Sequence, residues 1–162
     1  MLFRSPALGR AAAETMYDNG ADVVFAAAGL ASFGAYDVAV EKSSGGRQLW
    51  VIGVDGDQFE LVRLMPGVTD PNGWRAHILT SVLKRWDQAV FAILGQYAHD
   101  TLRPGVVSLD LTSDGVGISY SGGYIDDIKP RLEELKAEII AGQIAVPCLP
   151  VAKDGQGSSC QR

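Results

Sequence analysis

Asp55 lies where an apolar run of the sequence ends and a group of turn residues begins. The run covers Leu49 to Val54, and Gly56 and Asp57 follow the aspartate. Continuous apolar runs are typical of parallel strands covered on both faces, and ligands of open parallel sheets bind beyond the carboxyl ends of the strands. A carboxylate there can accept two hydroxyl hydrogen bonds, which suits the vicinal diol of a ribose. Asp55 is therefore a candidate ligand-binding residue, with a turn or helix-cap role as the alternative.

Three other residues with useful chemistry also follow predicted strands: Phe3, Gly29 and Lys84. Phe3 does so if residues 1–2 are the tail of an earlier strand. Because parallel strands end at one edge of a sheet, we expect all three to gather with Asp55. The glycine lets a ligand approach the backbone, the ammonium can share polyol hydroxyls with the carboxylate, and the ring offers a flat face to a planar base. The plainer alternatives are a core or terminal phenylalanine, a turn glycine and a solvated lysine at a helix start.

The sequence shows no pattern typical of a catalytic or metal centre. It contains no nucleophile elbow, P-loop or dinucleotide-binding glycine motif, which argues against an enzyme and against a cofactor. The spacing of Cys148 and Cys160 permits a disulfide, but we interpret them as unpaired thiols near a tail; they lack the spacing of a zinc site, and the two histidines stand apart from them. Asp55 and Asp57 form a DxD pair that could hold a divalent cation, although magnesium would need help from a phosphate.

Composition predicts one domain, or one lobe of a larger protein, with a packed core. Of the 162 residues, 47% are hydrophobic and 20% are charged. The net charge of −5 argues against a nucleic-acid surface. No apolar run reaches the roughly 18 residues of a membrane span. The first residues lack the basic and apolar regions of a secretory signal.

Apolar spacing and turn residues predict alternating strands and helices. Strands are predicted at 22–28, 49–54, 78–83, 106–111 and 116–120, and helices at 6–17, 35–42, 85–100 and after Asp126 as N-cap. The predicted inward stripes are Leu8, Ala12 and Met16 in the first helix, and Trp86, Val90, Ile93 and Tyr97 in the third. The order predicts an α/β fold with a parallel sheet and helices on both faces. The stretch 56–76 is predicted to be a long loop, and residues 148–162 a disordered tail.

Six segments of the sequence carry a family resemblance: 19–25, 27–29, 50–58, 79–85, 115–118 and 139–147. Together they resemble the C-terminal part of the basic membrane protein family. The most specific pieces read GVDxDQ and TSxxKR. Members of this family are substrate-binding lipoproteins of ABC importers, and the characterised ones bind purine nucleosides.

The resemblance implies a type I periplasmic-binding-protein fold, in which two α/β lobes joined by a hinge enclose the ligand. Residues 1–147 correspond to the C-terminal substrate-binding lobe, and the N-terminal lobe is expected to be missing. The implied ligand is a nucleoside, and the implied partner is an ABC permease. The implied location is extracytoplasmic, on a lipid anchor, although this sequence itself carries no signal peptide or lipobox.

Position by position, Phe3 matches the aromatic that stacks on the base. Gly29 matches the glycine whose backbone lies near the ligand. Asp55 and Lys84 match the pair that grips the ribose hydroxyls. The chain departs from the family at residues 29–32, where a glycine-rich turn is usual, and its loop before the third predicted strand is longer.

Two other functions stay open at this point. One is an effector-sensing domain of a transcription regulator with the same fold, although no helix-turn-helix segment is present in the sequence. The other is a metal-dependent enzyme that uses Asp55 and Asp57 on a phosphorylated sugar.

Overall fold

The computed structural model describes residues 5–43, 45–65 and 67–146, and the chain forms a unit of residues 1–126 and a unit of residues 127–162. The elements of the first unit are α1 Pro6–Asp18, β1 Val23–Phe25, α2 Ser32–Ser43, β2 Trp50–Asp55, α3 Gln58–Leu61, α4 Pro71–Arg75, β3 Ile78–Lys84, α5 Trp86–Ala98 and β4 Val116–Ile118. A 3-10 turn, Gly29–Ala31, precedes α2, and the second unit contains α6, Lys129–Ile140. No described helix combines the length and the apolar character that crossing a membrane requires.

The four strands lie side by side in the order β1, β2, β3, β4. β1 and β2 pair in parallel, as do β2 and β3, whereas β4 pairs antiparallel with β3. The prediction of an α/β fold with a mainly parallel sheet flanked by helices is confirmed. Because β2 and β3 are parallel, they end at the same edge of the sheet, where Asp55 of β2 is paired with Leu83 of β3.

The core of the first unit joins side chains of α1, α2 and α4 to those of β1, β2 and β3. Its largest fully buried apolar side chains are Tyr36, Val38, Leu49, Val51, Val62 and Ile78. Trp74 of α4 packs into this core, with its ring 5.2 Å from the rings of Phe33 and Tyr36. The burial of aliphatic and aromatic groups here is the main source of the stability of this unit.

Helices α1 and α2 approach each other closely at Gly34. A Cβ at this position would lie 2.1 Å from the Pro6 carbonyl oxygen and 2.4 Å from the Arg10 nitrogen. Only glycine allows this approach without a shift of one helix backbone. The same pair of helices is bordered by an exposed ion pair, in which Lys42 Nζ lies 2.6 Å from Asp18 Oδ1.

The stretch 56–76 is not the long loop that was predicted, because it contains α3 and α4. Asp70 occupies the N-cap of α4 and accepts a hydrogen bond from the Gly73 N–H at 2.9 Å. Trp74 then anchors this short helix in the core, where it is 7% exposed. Tertiary burial of one large ring thus gives structure to a segment whose turn residues indicate a loop.

Two further predicted elements are wrong. Residues 106–111 form no strand, because burial does not favour one there: Val106 and Val107 are 100% and 54% exposed. Asp126 does not cap the last helix, which begins at Lys129 with Ile128 at its N-cap.

The predicted inward stripe of α1 is also wrong. Leu8 and Met16 are each 48% exposed, whereas Ala13 and Tyr17 are buried. In an alanine-rich helix the apolar contrast between faces is small, so one large ring decides which face turns inward. The Tyr17 hydroxyl donates to the Trp50 carbonyl at 2.9 Å, and burial raises the pKa of this phenol to about 12.

Helix α5 has no buried residue, so its predicted stripe does not face the core of this chain. Its large apolar side chains stay exposed: Trp86, Val90, Phe91, Ile93, Leu94 and Tyr97 are 45% to 77% exposed. After Asp87 the helix carries no charged residue. Helices that are apolar on most of their surface are usually buried inside a protein. In the described first unit, α5 is instead exposed.

We expect Gly34→Ala to destabilise the chain by about 2 kcal/mol, because the methyl group would collide with the backbone of α1. The matched control is Gly95→Ala in α5, where an added Cβ meets nothing within 4 Å. That variant should gain about 0.5–1 kcal/mol from helix propensity. Urea unfolding followed by circular dichroism measures both. Equal stabilities of the two variants would contradict the close approach of α1 and α2.

Candidate ligand-binding site

Asp55 occupies a strained three-residue turn at the end of β2. Its φ is +73°, a region that residues other than glycine rarely adopt. The Gly56 N–H donates to the Val54 carbonyl at 3.0 Å and so closes a γ-turn around Asp55. Asp100 and Asp114 also have positive φ, but one follows a helix and the other lies in a tight turn, where aspartate adopts this conformation more readily. Strain at a strand end is a feature of functional sites.

Asp55 and Lys84 form an ion pair at the edge of the sheet. Lys84 Nζ lies 2.6 Å from Asp55 Oδ1, and the two side chains are 58% and 51% exposed. The parallel register of β2 and β3 brings these residues together, as their positions at predicted strand ends indicated. So exposed a pair adds little to the free energy of unfolding. Their role in ligand binding stays a prediction.

A cleft of about 240 Å³ lies beside the Asp55 carboxylate. Its lining combines apolar side chains with backbone and a few polar groups, chiefly Gly29, Leu30, Phe33, Asp55, Gln58 and Met65. Gly29 therefore faces the same space as Asp55, which is the neighbourhood predicted for it. Phe3 lies outside the described residues. A mainly apolar cleft with few polar groups at its rim is typical of small-molecule sites, although most are larger.

Two polar residues that lie close to Asp55 were not predicted from the sequence to have a role. The Gln58 side-chain amide donates to the Val54 carbonyl at 2.8 Å, and the Gln58 N–H donates to Ser81 Oγ at 3.1 Å. Ser81 is fully buried in β3. Gln58 belongs to the segment GVDxDQ and Ser81 to the segment TSxxKR. Membership of these two family segments was the only sequence feature that could have indicated a role for them. They hold the turn that presents Asp55.

Arg85 follows Lys84 and is held away from the pair by two carboxylates. Its guanidinium makes hydrogen bonds of 2.8 Å to 3.3 Å with Asp87 and one of 2.8 Å with Asp114. The hydrogen bonds from Arg85 lower the pKa of Asp87 to about 2, and the same contacts raise the pKa of Arg85. The Arg85 charge is therefore neutralised locally, which leaves Lys84 as the partner of Asp55.

Within residues 5–43, 45–65 and 67–146, no group of three or more His, Cys, Asp or Glu side chains is arranged to hold a metal ion. The Asp55 and Asp57 carboxylates have different partners. Asp55 reaches Lys84, whereas Asp57 accepts a hydrogen bond from the Ser121 hydroxyl at 2.5 Å.

Comparisons with known proteins identify the family of the chain. A family model described as "ABC transporter substrate-binding protein PnrA-like" (Bmp) matches residues 2–150. The chain belongs to the Bmp family. The resemblance drawn from the six sequence segments is thereby confirmed.

Individual relatives agree with this family. The chain is 34% identical over 147 residues to a "CD4+ T-cell-stimulating antigen" of Listeria monocytogenes, a match that covers 88% of this chain. It is 31% identical over 157 residues to "Basic membrane protein D" of Borreliella burgdorferi, covering 91% of this chain. In both cases the chain spans 40% of the length of the relative.

Solved structures show the same fold. An ABC transporter solute-binding protein from Aeropyrum pernix has a TM-score of 0.66 and 25% identity, and the match covers 94% of this chain and 47% of that one. A solute-binding protein from Conexibacter woesei has a TM-score of 0.64 and 18% identity, with 88% and 43% covered, and supports the fold alone. The Bmp chain therefore corresponds to about half of these proteins.

We expect Asp55→Gly to be about 1 kcal/mol more stable than Asp55→Ala, because glycine adopts a positive φ without strain. Both variants lose the carboxylate and the ion pair, so the difference isolates the backbone conformation. Chemical unfolding of the two variants measures it. An alanine variant as stable as the glycine variant would show that Asp55 is not strained.

Proposed function

We propose that this Bmp chain is the lobe of an ABC-importer substrate-binding protein that grips the sugar of a purine nucleoside. The observation that carries the proposal is the Asp55–Lys84 ion pair at the edge of the cleft, with Asp55 held in a strained turn. The backbone strain at Asp55 lowers the stability of the fold, and the Asp55–Lys84 ion pair adds little to it. Because neither feature serves stability, both support a role in binding.

The pair has the chemistry of a diol site. The Asp55 carboxylate can accept hydrogen bonds from both hydroxyls of a ribose, and the Lys84 ammonium can donate to their oxygens. Gly29 lets the ligand approach the backbone, and the apolar side chains of Leu30 and Phe33 suit an uncharged part of it. In this proposal Phe3 stacks on the base.

A second lobe is part of this proposal. The chain spans 40% of the length of its relatives, and α5, which begins directly after Lys84 and Arg85, exposes six large apolar side chains. Helices of this composition are stable in water when another surface covers them. A lobe packed there would lie next to the cleft and could close over the ligand by a hinge motion.

The function is binding and delivery, without covalent chemistry or a cofactor. Family membership supports an ABC permease as the partner and an extracytoplasmic, lipid-anchored location. Membership of a family of ABC transporter substrate-binding proteins favours this role over a metal-dependent enzyme or a regulator domain.

We expect adenosine, guanosine and inosine to bind this chain, more weakly than they bind a full-length relative, because one lobe leaves the ligand open to water. Asp55→Asn and Lys84→Met should each weaken binding about tenfold or more, since each removes charge-assisted hydrogen bonds. Isothermal titration, with NMR shift titration for millimolar affinities, measures both effects.

The matched control is Lys42→Met, which removes an equally short surface ion pair with Asp18 away from the cleft. Its affinity should equal that of the unmodified chain. Binding that survives both site variants would contradict the proposed site, and binding by the isolated chain as tight as by a full-length relative would contradict the two-lobe argument.

We expect Phe91→Asp with Leu94→Asp to reduce self-association and the binding of a hydrophobic dye, because both side chains are exposed on α5. The control is Leu64→Asp with Val106→Asp, which replaces two isolated side chains that are 80% and 100% exposed. Dye fluorescence and analytical ultracentrifugation compare the pairs. The α5 surface is not an interface if both pairs behave alike.

A further inference from the structure

We infer that Asp57 and Ser121 are positioning residues that hold Asp55 in its ligand-binding conformation from behind the cleft. Their hydrogen bond of 2.5 Å joins residues that are 64 positions apart in the chain. Neither residue lines the cleft. The inference rests on the proposed function for its consequence in binding, but the conformation of Asp55 can be measured without any ligand.

A γ-turn with positive φ does not hold itself in place. Its single hydrogen bond, from the Gly56 N–H to the Val54 carbonyl, spans only three residues. Strained conformations persist only where surrounding contacts over-determine them. The Gln58 amide supplies one such contact by donating to the same Val54 carbonyl at 2.8 Å.

Gln58 can reach this carbonyl because Gly53 has no side chain. A Cβ on Gly53 would lie 2.4 Å from Gln58 Cγ and 3.0 Å from Ser81 Oγ. The Gln58 N–H is held by Ser81 Oγ at 3.1 Å. The start of α3 is therefore bound to β3 by a serine of that strand.

Asp57 occupies the N-cap position of α3 but does not cap it. An N-cap aspartate usually accepts a hydrogen bond from the second or third backbone N–H of its own helix, and the Asp57 side chain makes no such bond. Its Oδ2 instead accepts from the Ser121 hydroxyl, and its Oδ1 is buried with no hydrogen-bond partner. The carboxylate is thus committed to the contact with Ser121.

The segment that carries Ser121 is itself fixed to the sheet. The Ser121 N–H donates to Ser119 Oγ at 3.1 Å, and the Ser119 N–H donates to the Ser81 carbonyl at 2.9 Å. Ser119 is 4% exposed. A closed circuit of hydrogen bonds therefore runs from Asp57 through Ser121 and Ser119 to Ser81, and back to Gln58. Together with the bond from the Gln58 amide to the Val54 carbonyl, these bonds fix the residues that follow Asp55 to β3 and to the segment after β4.

The test is Ser121→Ala, followed by NMR of the ligand-free chain. A positive φ brings a residue's own amide and Hα protons close together, so Asp55 should show a strong intraresidue cross-peak. In Ser121→Ala we expect that cross-peak to weaken and the Gly56 amide to exchange about tenfold faster. Ser121→Thr, which keeps the hydroxyl, should restore both signals.

The matched control is Ser113→Ala, which removes a serine hydroxyl that accepts from the Asp110 N–H in a separate exposed turn. It should leave both Asp55 and Gly56 unchanged. A Ser121→Ala variant that melts at a lower temperature but keeps the Asp55 cross-peak and the Gly56 protection would overturn the inference, because that result describes a merely structural contact.

Nucleoside titration separates this inference from the proposed function. If the unmodified chain binds nucleosides, Ser121→Ala should weaken binding about tenfold, like a change at the site itself. If the unmodified chain binds none, the proposed function fails while the NMR result still decides whether Ser121 positions Asp55. Nucleoside affinity that is unchanged in a variant with a relaxed Asp55 turn would also contradict the positioning role.

Discussion

The parallel register of β2 and β3 is the constraint on which the candidate site depends. Asp55 is paired with Leu83, so the next residue of β3, Lys84, reaches the carboxylate at 2.6 Å. A shift of one residue would turn alternate side chains to the opposite face of the sheet. The pairing shifts by one residue between Val51 and Ile52: the fully buried Val51 pairs with the fully buried Ile78, whereas Ile52 pairs with Thr80. The shifted register, which continues from Ile52 to Asp55, therefore sets the geometry of the site.

The conformation of the site adds little to the stability of the fold, yet the positions of its side chains are well fixed. Its central residue has a φ of +73° and its ion pair is half exposed, so neither feature favours the folded state strongly. Buried or half-buried hydrogen bonds behind the turn compensate, and they involve Gln58, Ser81 and Ser121. The division is physically sensible, because groups that meet a ligand must stay available to it while the groups that aim them can be satisfied within the protein.

Much of the fold was predictable because its signals are local. A continuous apolar run marked β2, and Gly56 and Asp57 marked its end. The predicted strand at 106–111 failed because its apolar side chains find no cover: Val106 and Val107 are 100% and 54% exposed, so no burial offsets the ordering of a strand. The stripe of α1 failed because the ring of Tyr17 outweighed the aliphatic residues in deciding the buried face. The stripe of α5 was a true apolar surface, but no residue of α5 is buried within the described part of the chain.

The sequence by itself determined the family, the strand ends and the chemistry available there: a carboxylate at Asp55, an amine at Lys84 and a small residue at Gly29. These follow from residue types and short-range spacing, which need no knowledge of distant contacts. Only the tertiary structure decided that Asp55 lies in a γ-turn, that its charge is paired at 2.6 Å, and that Ser121 supports it from 64 residues beyond Asp57. Backbone strain and its support arise from contacts between remote segments, and such contacts exist only once the chain has folded.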